Sequence, residues 1–414
     1  MAHLKRSLGI ALWFMFLTLP LMVVKVNTLT NEVIWRWSNL AWMGGGAFAI
    51  AWLWQFMIER RANKRAAVSA EAHPEQDKPT VAQRLADDPV LMRRVLYVAA
   101  IVAIVFPWLV STGQNYYHVN VMVSALIFVV LGLGLNITVG LAGLLDLGYI
   151  AFFAVGSYTY ALLSKHFDLG FWTCLPLGGL MGMLFGIVLG FPILRLRGDY
   201  LAIVTLGFGS ITKIVLENWD TVFGGAAGIA GIPRPDFFGI DLDGRQKAVY
   251  TYYIVLALVG LTIFATNRLK NSRIGRAWMA LREDEIASVA MGVDMARTKL
   301  SAYALGAFWA GLVGVVFAAH NNFINPDSFT FMDSAMILAM VVLGGMGSIL
   351  GVIIASLALK LLPEYLRAFA EYRMLIFGLV MVLMMIFRPQ GLINNMRRKY
   401  EYDTLEGGRD DGGK

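Results

Sequence analysis

Charge is scarce in this chain. Of its 414 residues only 15% are Asp, Glu, Lys or Arg, against 58% hydrophobic, whereas a soluble domain carries about 25% charged residues. So few polar groups cannot cover a globule in water. Cysteine is almost missing, and the lone Cys174 excludes an internal disulfide. The five histidines (His3, His73, His118, His166 and His320) are scattered without metal-ligand spacing and read as loop or interfacial residues. No Gly-x-x-x-x-Gly-Lys-Ser/Thr phosphate loop is present. Nor is there a soluble stretch long enough to hold a nucleotide, or an array of Ser/His/Asp, Cys/His or paired carboxylates. The expectation is a chain without catalytic residues, metal or cofactor of its own. If it moves a solute uphill, the energy enters from elsewhere.

What the chain has instead is long apolar runs. About 20 apolar residues span a bilayer, and only helices or closed barrels satisfy the backbone there. A barrel would show alternating segments of about ten residues; these runs are continuously apolar. The expected fold is all-α, a polytopic integral membrane bundle of about 10–12 segments. Candidate spans are 7–24, 38–58, 94–111, 119–140, 142–164, 171–194, 201–216, 250–267, 300–320 and 374–387. The region 334–362 is broken by Gly344-Gly345-Met346-Gly347 and reads as two short spans or a re-entrant pair.

The formal net charge of +7 does not point to nucleic acid, because the positive residues are sorted by side. With the N-terminus inside, the segments on that side hold 25 Lys/Arg and the opposite segments 8. This bias puts both termini in the cytoplasm. Lys5-Arg6 followed by an apolar run resembles a signal peptide, but no small-x-small cleavage site follows, so the run reads as a retained first span. The expected organisation is a two-span unit at 1–58, a polar cytoplasmic linker at 59–93, a membrane core at 94–395 and a cytoplasmic tail at 396–414.

Three regions could carry function. In the cytoplasmic segment 268–299, Ile274, Trp278, Leu281, Ile286 and Val289 roughly form one apolar stripe. Arg276, Arg282, Glu283, Asp284 and Glu285 form the polar face, and Gly292 stops the helix. Such a helix either docks in a partner's groove or lies on the membrane surface. Asp146 reads two ways, as a helix cap or interfacial residue and as part of a broken helix beside a translocation path. The break at Gly344-Gly345 must be buried in protein or line water. Gly182, Gly186 and Gly190 share a helix face and suit close helix packing, a spacing repeated by Gly347 and Gly351. Lys213 and Glu217 either pair at helical spacing or snorkel outward. The outer loop 217–249 is glycine-rich and shapes the outer mouth or meets a periplasmic protein.

The stretch from Gly275 through Arg276-Ala277-Trp278 and Arg282-Glu283-Asp284-Glu285 to Gly292-Val293 resembles the ATPase-coupling loop of ABC import permeases, and more narrowly the branched-chain amino acid permease family. Four other stretches agree in order: 134–149, 194–209, 228–235 and 344–351. The resemblance covers roughly 94–395, and the additional two-span unit is similar to that of the longer of the family's two permeases. It implies a type II-like importer permease that forms half of a translocation pathway. The implied partners are two ATP-binding cassette subunits that hydrolyse ATP, a second homologous permease, a periplasmic amino-acid-binding protein and the lipid of the inner membrane. It further implies coupling roles for Gly275, Arg276, Ala277, Arg282, Glu283, Asp284, Glu285, Ala287 and Gly292. Candidate path residues are Asn136, Asp146, Gly344, Gly345 and Gly347. Asp146 and Ser210 depart from the family pattern. The alternatives are a secondary transporter of a small solute, an ABC permease for urea or other amides, and a membrane-embedded enzyme, for which the sequence offers no site.

Overall fold

The computed structural model describes residues 101–108, 116–194, 198–235, 244–365 and 391–393, with a few short stretches and single positions elsewhere. The expected spans 7–24, 38–58 and 374–387, the linker 59–93 and the tail 396–414 lie almost wholly outside the described residues. The chain divides into two compact units, Met1–Thr80 and Val81–Lys414. Within the first, β1 (Val24–Val26) and β2 (Val33–Trp35) form an antiparallel ladder with Val24 opposite Trp35.

The second unit is a helical bundle. Among the described residues its long helices begin with α1 (Tyr117–Leu135), α2 (Ile150–Phe167), α3 (Phe171–Ile193), α4 (Asp199–Asn218) and α5 (Gly244–Lys270). Two short helices, α6 (Arg273–Glu283) and α7 (Glu285–Ala290), precede α8 (Met295–Asn321), α9 (Phe331–Gly344) and α10 (Ile349–Tyr365). Six helical stretches among the described residues are long and apolar enough to cross a membrane: Tyr117–Leu141, Phe171–Pro192, Asp199–Asn218, Gln246–Lys270, Met295–Asn321 and Pro326–Gly344. The chain is a multi-pass helical membrane protein. The loop strands β3 (Ile229–Ala230) and β4 (Phe323–Ile324) pair with each other and tie the α4–α5 connection to the segment between α8 and α9. The expected outer loop 217–249 is shorter than its polarity suggested, because α4 runs to Asn218 and α5 starts at Gly244.

α8 is the axis of the unit. It packs most extensively on α3 and α2 and also meets α1. Small residues bring these backbones together: a Cβ on Gly182 would strike the Ala307 carbonyl, and one on Gly311 would strike the Gly178 carbonyl. Gly186 packs on Ala307 and Tyr303, and Gly190 on Leu300, so the expected glycine stripe faces α8 along its length. In lipid, where apolar surface alone does not drive helices together, such close approach supplies the packing contacts. Gly347 and Gly351 do not repeat this pattern. Gly347 lies in a turn at φ +83°, while Gly351 packs against Gly344 where α9 and α10 converge.

The region 334–362 resolves into two helices, α9 and α10, joined by residues 345–348. Thr330 and Asp333 form a reciprocal capping box that starts α9. Gly345 ends it at φ +102°, a conformation only glycine adopts without strain. The expected span 142–164 needs correction. Residues 142–149 are not helical, and α2 begins only at Ile150. The apolar run is continuous there, but Gly143 turns the chain at φ +73°. The Asp146 carboxylate then takes the Gly148 N–H in a local turn that competes with helix.

Candidate functional site

The site is built from two interruptions in the helices and one surface segment. The first interruption follows α1, whose last turn loosens into a π-helical turn at Asn136–Leu141 before the chain leaves helix altogether. Such turns shift the backbone register and are frequent at functional positions. Asn136 is fully buried, and its side-chain oxygen accepts the N–H of Gly347 at 2.8 Å. Gly347 belongs to the second interruption, the α9–α10 turn. Its carbonyl accepts from the Lys270 ammonium at the end of α5, at 3.2 Å. Residues 391–393 close the same turn: the N–H of Leu392 donates to the Leu343 carbonyl and that of Ile393 to Gly344.

The surface segment reaches this junction through one side chain. The Arg282 guanidinium donates to the Gly140 carbonyl in the π-helical turn. Its aliphatic stem occupies the space that a Cβ on Gly143 would need. Two residues expected to couple and to line a path, Arg282 and Gly347, therefore converge on Gly140, as does Asn136.

The segment itself is two helices rather than one. The expected single helix breaks at Asp284, which is extended at φ −154° and caps α7 by accepting the N–H groups of Ile286 and Ala287 at 2.9 Å each. An aspartate at an N-cap satisfies orphan donors and favours the helix dipole. The apolar stripe divides accordingly. Trp278 and Leu281 on α6 are buried, whereas Ile274 at the start of α6 is 48% exposed, and on α7 Ile286 is 71% exposed and Val289 47%. Gly292 does stop α7, at φ +87°, with Val293 N–H on the Ser288 carbonyl and Gly292 N–H on Val289, the paired bonds of a Schellman ending.

Both helices are anchored to α8. The Trp278 indole N–H donates to the Thr298 carbonyl at 3.0 Å and lies 3.1 Å from the Ser301 hydroxyl. Glu285 and the almost fully buried Lys299 form an ion pair at 2.6 Å. Gly275 is buried, and a Cβ there would strike the Leu269 carbonyl. Ala277 is half-buried. Arg276, Glu283, Ala287 and Gly292 remain exposed, as do Ile286, Val289 and Met291.

The broken stretch 142–149 has its own supports. Backbone that leaves helix inside a membrane bundle must find partners in the protein. The N–H of Leu147 donates to the Thr205 hydroxyl on α4, and that of Ile150 to the Ser334 hydroxyl on α9, each at 3.0 Å. The Tyr149 hydroxyl donates to the Gly306 carbonyl in α8 at 2.9 Å. Asp146 is fully buried, and its second carboxylate oxygen has no partner among the described residues. It thus lies inside the protein rather than at an interface, in the non-helical stretch between α1 and α2. Gly344 and Gly345 stand at the α9 end of the α9–α10 turn, as the last residue of α9 and its cap. Thr205 and Ser334, which hold this break together, carried no sequence signal beyond being single hydroxyls in apolar runs.

A bundle of membrane-spanning helices, broken beside a surface helix pair strapped to its central member, has the architecture of a transport permease. The family model for the permease component of branched-chain amino acid transport systems matches residues 117–385, and the chain belongs to that family. The chain is 43% identical to the high-affinity branched-chain amino acid transport system permease LivM of Salmonella typhimurium, over 87% of this chain and 86% of that protein. It is 47% identical to LivM of Escherichia coli K12, over 74% of this chain and 76% of the relative. LivH of Escherichia coli K12, a permease of the same kind of system, is 24% identical over 64% of this chain and 91% of its own length. No solved structure matches the chain.

Proposed function

We propose that this chain is the transmembrane permease of an ATP-driven importer of branched-chain amino acids, lying in the bacterial inner membrane and forming half of the pathway. A second, homologous permease forms the other half. Two ATP-binding cassette subunits hydrolyse ATP at the cytoplasmic face, and a periplasmic amino-acid-binding protein delivers the solute. The chain itself holds no ATP.

The observation that carries this reading is the exposed apolar tip of α7. Ile286, Val289 and Met291 are exposed, Met291 at 85%, and Arg276 and Glu283 on the preceding helix are exposed as well. Exposed apolar side chains grouped on one short helix mark a docking surface, and a helix in a groove is a common docking mode. Behind that tip, Trp278 and the Glu285–Lys299 pair tie the helices to α8, and Arg282 ties them to the broken end of α1. A push delivered at α7 therefore reaches α8 through the Glu285–Lys299 pair and, across the single extended residue Asp284, reaches α6 and the π-helical turn through Arg282.

Uptake of labelled leucine, isoleucine and valine by cells lacking only this chain tests the reading. High-affinity uptake disappears and returns with the intact gene. Undiminished uptake of all three overturns the proposal. Ile286→Asp together with Met291→Asp releases the ATPase subunits during purification while the permease stays folded.

A further inference from the structure

α4 carries two ionisable residues, Lys213 and Glu217, in a helix apolar enough to span the membrane. Both stand near its C-terminal end, and an ionisable group in such a helix persists where it faces protein or a water-filled cavity. Here the cavity exists. A pocket of about 380 Å³ lies between α4, the start of α2 and the start of α9. Its apolar wall includes Leu147, Ile150, Leu206 and Phe329, and Ser210, Lys213, Glu217 and Thr330 supply its polar side. The Lys213 ammonium is 3.2 Å from Glu217 and 3.0 Å from Asp327, which sits in the loop before α9. One cation thus faces two carboxylates, a surplus of one negative charge. Lys213 and Glu217 are each about one-third exposed, so the network stays open to an entering group.

We propose that this pocket is a transit site for a zwitterionic α-amino acid with an apolar side chain. The solute's ammonium displaces Lys213 from one of the two carboxylates, and the freed Lys213 takes the solute's carboxylate. The zwitterion thereby inserts into the ion network with each charge opposed and adds no net charge to it. Its side chain lies against Leu147, Ile150 and Leu206. The volume falls within the roughly 300–1,000 Å³ of small-molecule sites. Leu147 and Ile150 border the broken stretch, whose backbone hangs on Thr205 and Ser334, so the site adjoins a part of the pathway that can rearrange without unwinding a continuous helix. The inference rests on the proposed transport function and deepens it by naming where the solute is held.

Ser210→Cys in the complete transporter, in membrane vesicles, provides the test, because Ser210 is exposed to the pocket and Cys174 is buried. A charged, membrane-impermeant methanethiosulfonate labels the new thiol. Leucine at about ten times its dissociation constant slows that labelling about tenfold. An equal concentration of 4-methylpentanoate, which lacks the ammonium, does not. Lys213→Met keeps the labelling and loses the protection. If the thiol reacts only with lipid-soluble reagents, the pocket faces lipid and the proposal falls. Equal labelling with and without leucine in every nucleotide state overturns it as well, and intact leucine uptake by the same vesicles would leave the importer reading standing. Vesicles of the unsubstituted transporter that import none of the three amino acids would overturn both.

Discussion

α8 and α4 both qualify as membrane-spanning helices, yet the protein treats them differently. Of the most apolar window of each, 83% is buried in α8 and 22% in α4. α8 meets neighbours on every side, with glycine and alanine where the backbones approach. α4 shows Tyr200, Ile203 and Ile211 to the outside and keeps its ionisable pair toward a pocket. Hydropathy does not separate an inner post from an outer wall, since lipid and protein interior are both apolar. Residue size and ionisable content do separate them. Small residues accumulate where helix meets helix, while large aliphatic and ionisable residues mark a face left for lipid, solute or a second subunit.

The largest effect that can break this contrast is on the α8 seam. Gly311→Leu forces a side chain into the Gly178 carbonyl and the Gly182 backbone. The cost exceeds the ~1–3 kcal/mol of ordinary overpacking, and no monodisperse protein is recovered on size exclusion in detergent. A folded variant would show that α8 is less tightly held than its glycines imply. A smaller effect follows at the strap. Trp278→Ala removes a fully buried indole with two hydrogen-bond partners and costs about 3–5 kcal/mol locally. Faster hydrogen exchange over 273–290, with α8 unchanged beyond its first turns, is the expected readout. The smallest effect lies on α4: Ile211→Ala, at a position 62% exposed, shifts the stability of the chain alone by no more than about 0.5 kcal/mol. Repeating that melt with the second permease bound sharpens the comparison, because a larger shift then locates the subunit interface on this face.

Much of this was legible in the sequence, and the misses share a cause. Continuous apolar runs announced spanning helices because composition and length suffice for that. Gly344-Gly345 announced a turn and Gly292 a helix end, because glycine alone tolerates those backbone angles. Residues 142–149 passed for helix since hydropathy reports solubility in lipid and says nothing of where backbone N–H groups find partners. The partners here, Thr205 and Ser334, are 58 and 184 residues away from the groups they accept. The break at Asp284 was hidden in a run of four charged residues that read equally well as one polar helix face. The contact of Arg282 with Gly140, across 142 residues, has no local signature at all.

Arg282 is also where the account is most exposed. Its side chain is the one direct bond from the surface helices to the broken end of α1 among the described residues, so it should convert work at α7 into movement at the pathway. The decisive measurement is the number of ATP molecules hydrolysed per leucine imported by the complete, reconstituted transporter carrying Arg282→Ala. The account predicts a ratio raised at least about tenfold, equivalent to ~1.4 kcal/mol or more of lost coupling. An unchanged ratio, with import at the normal rate, would contradict it.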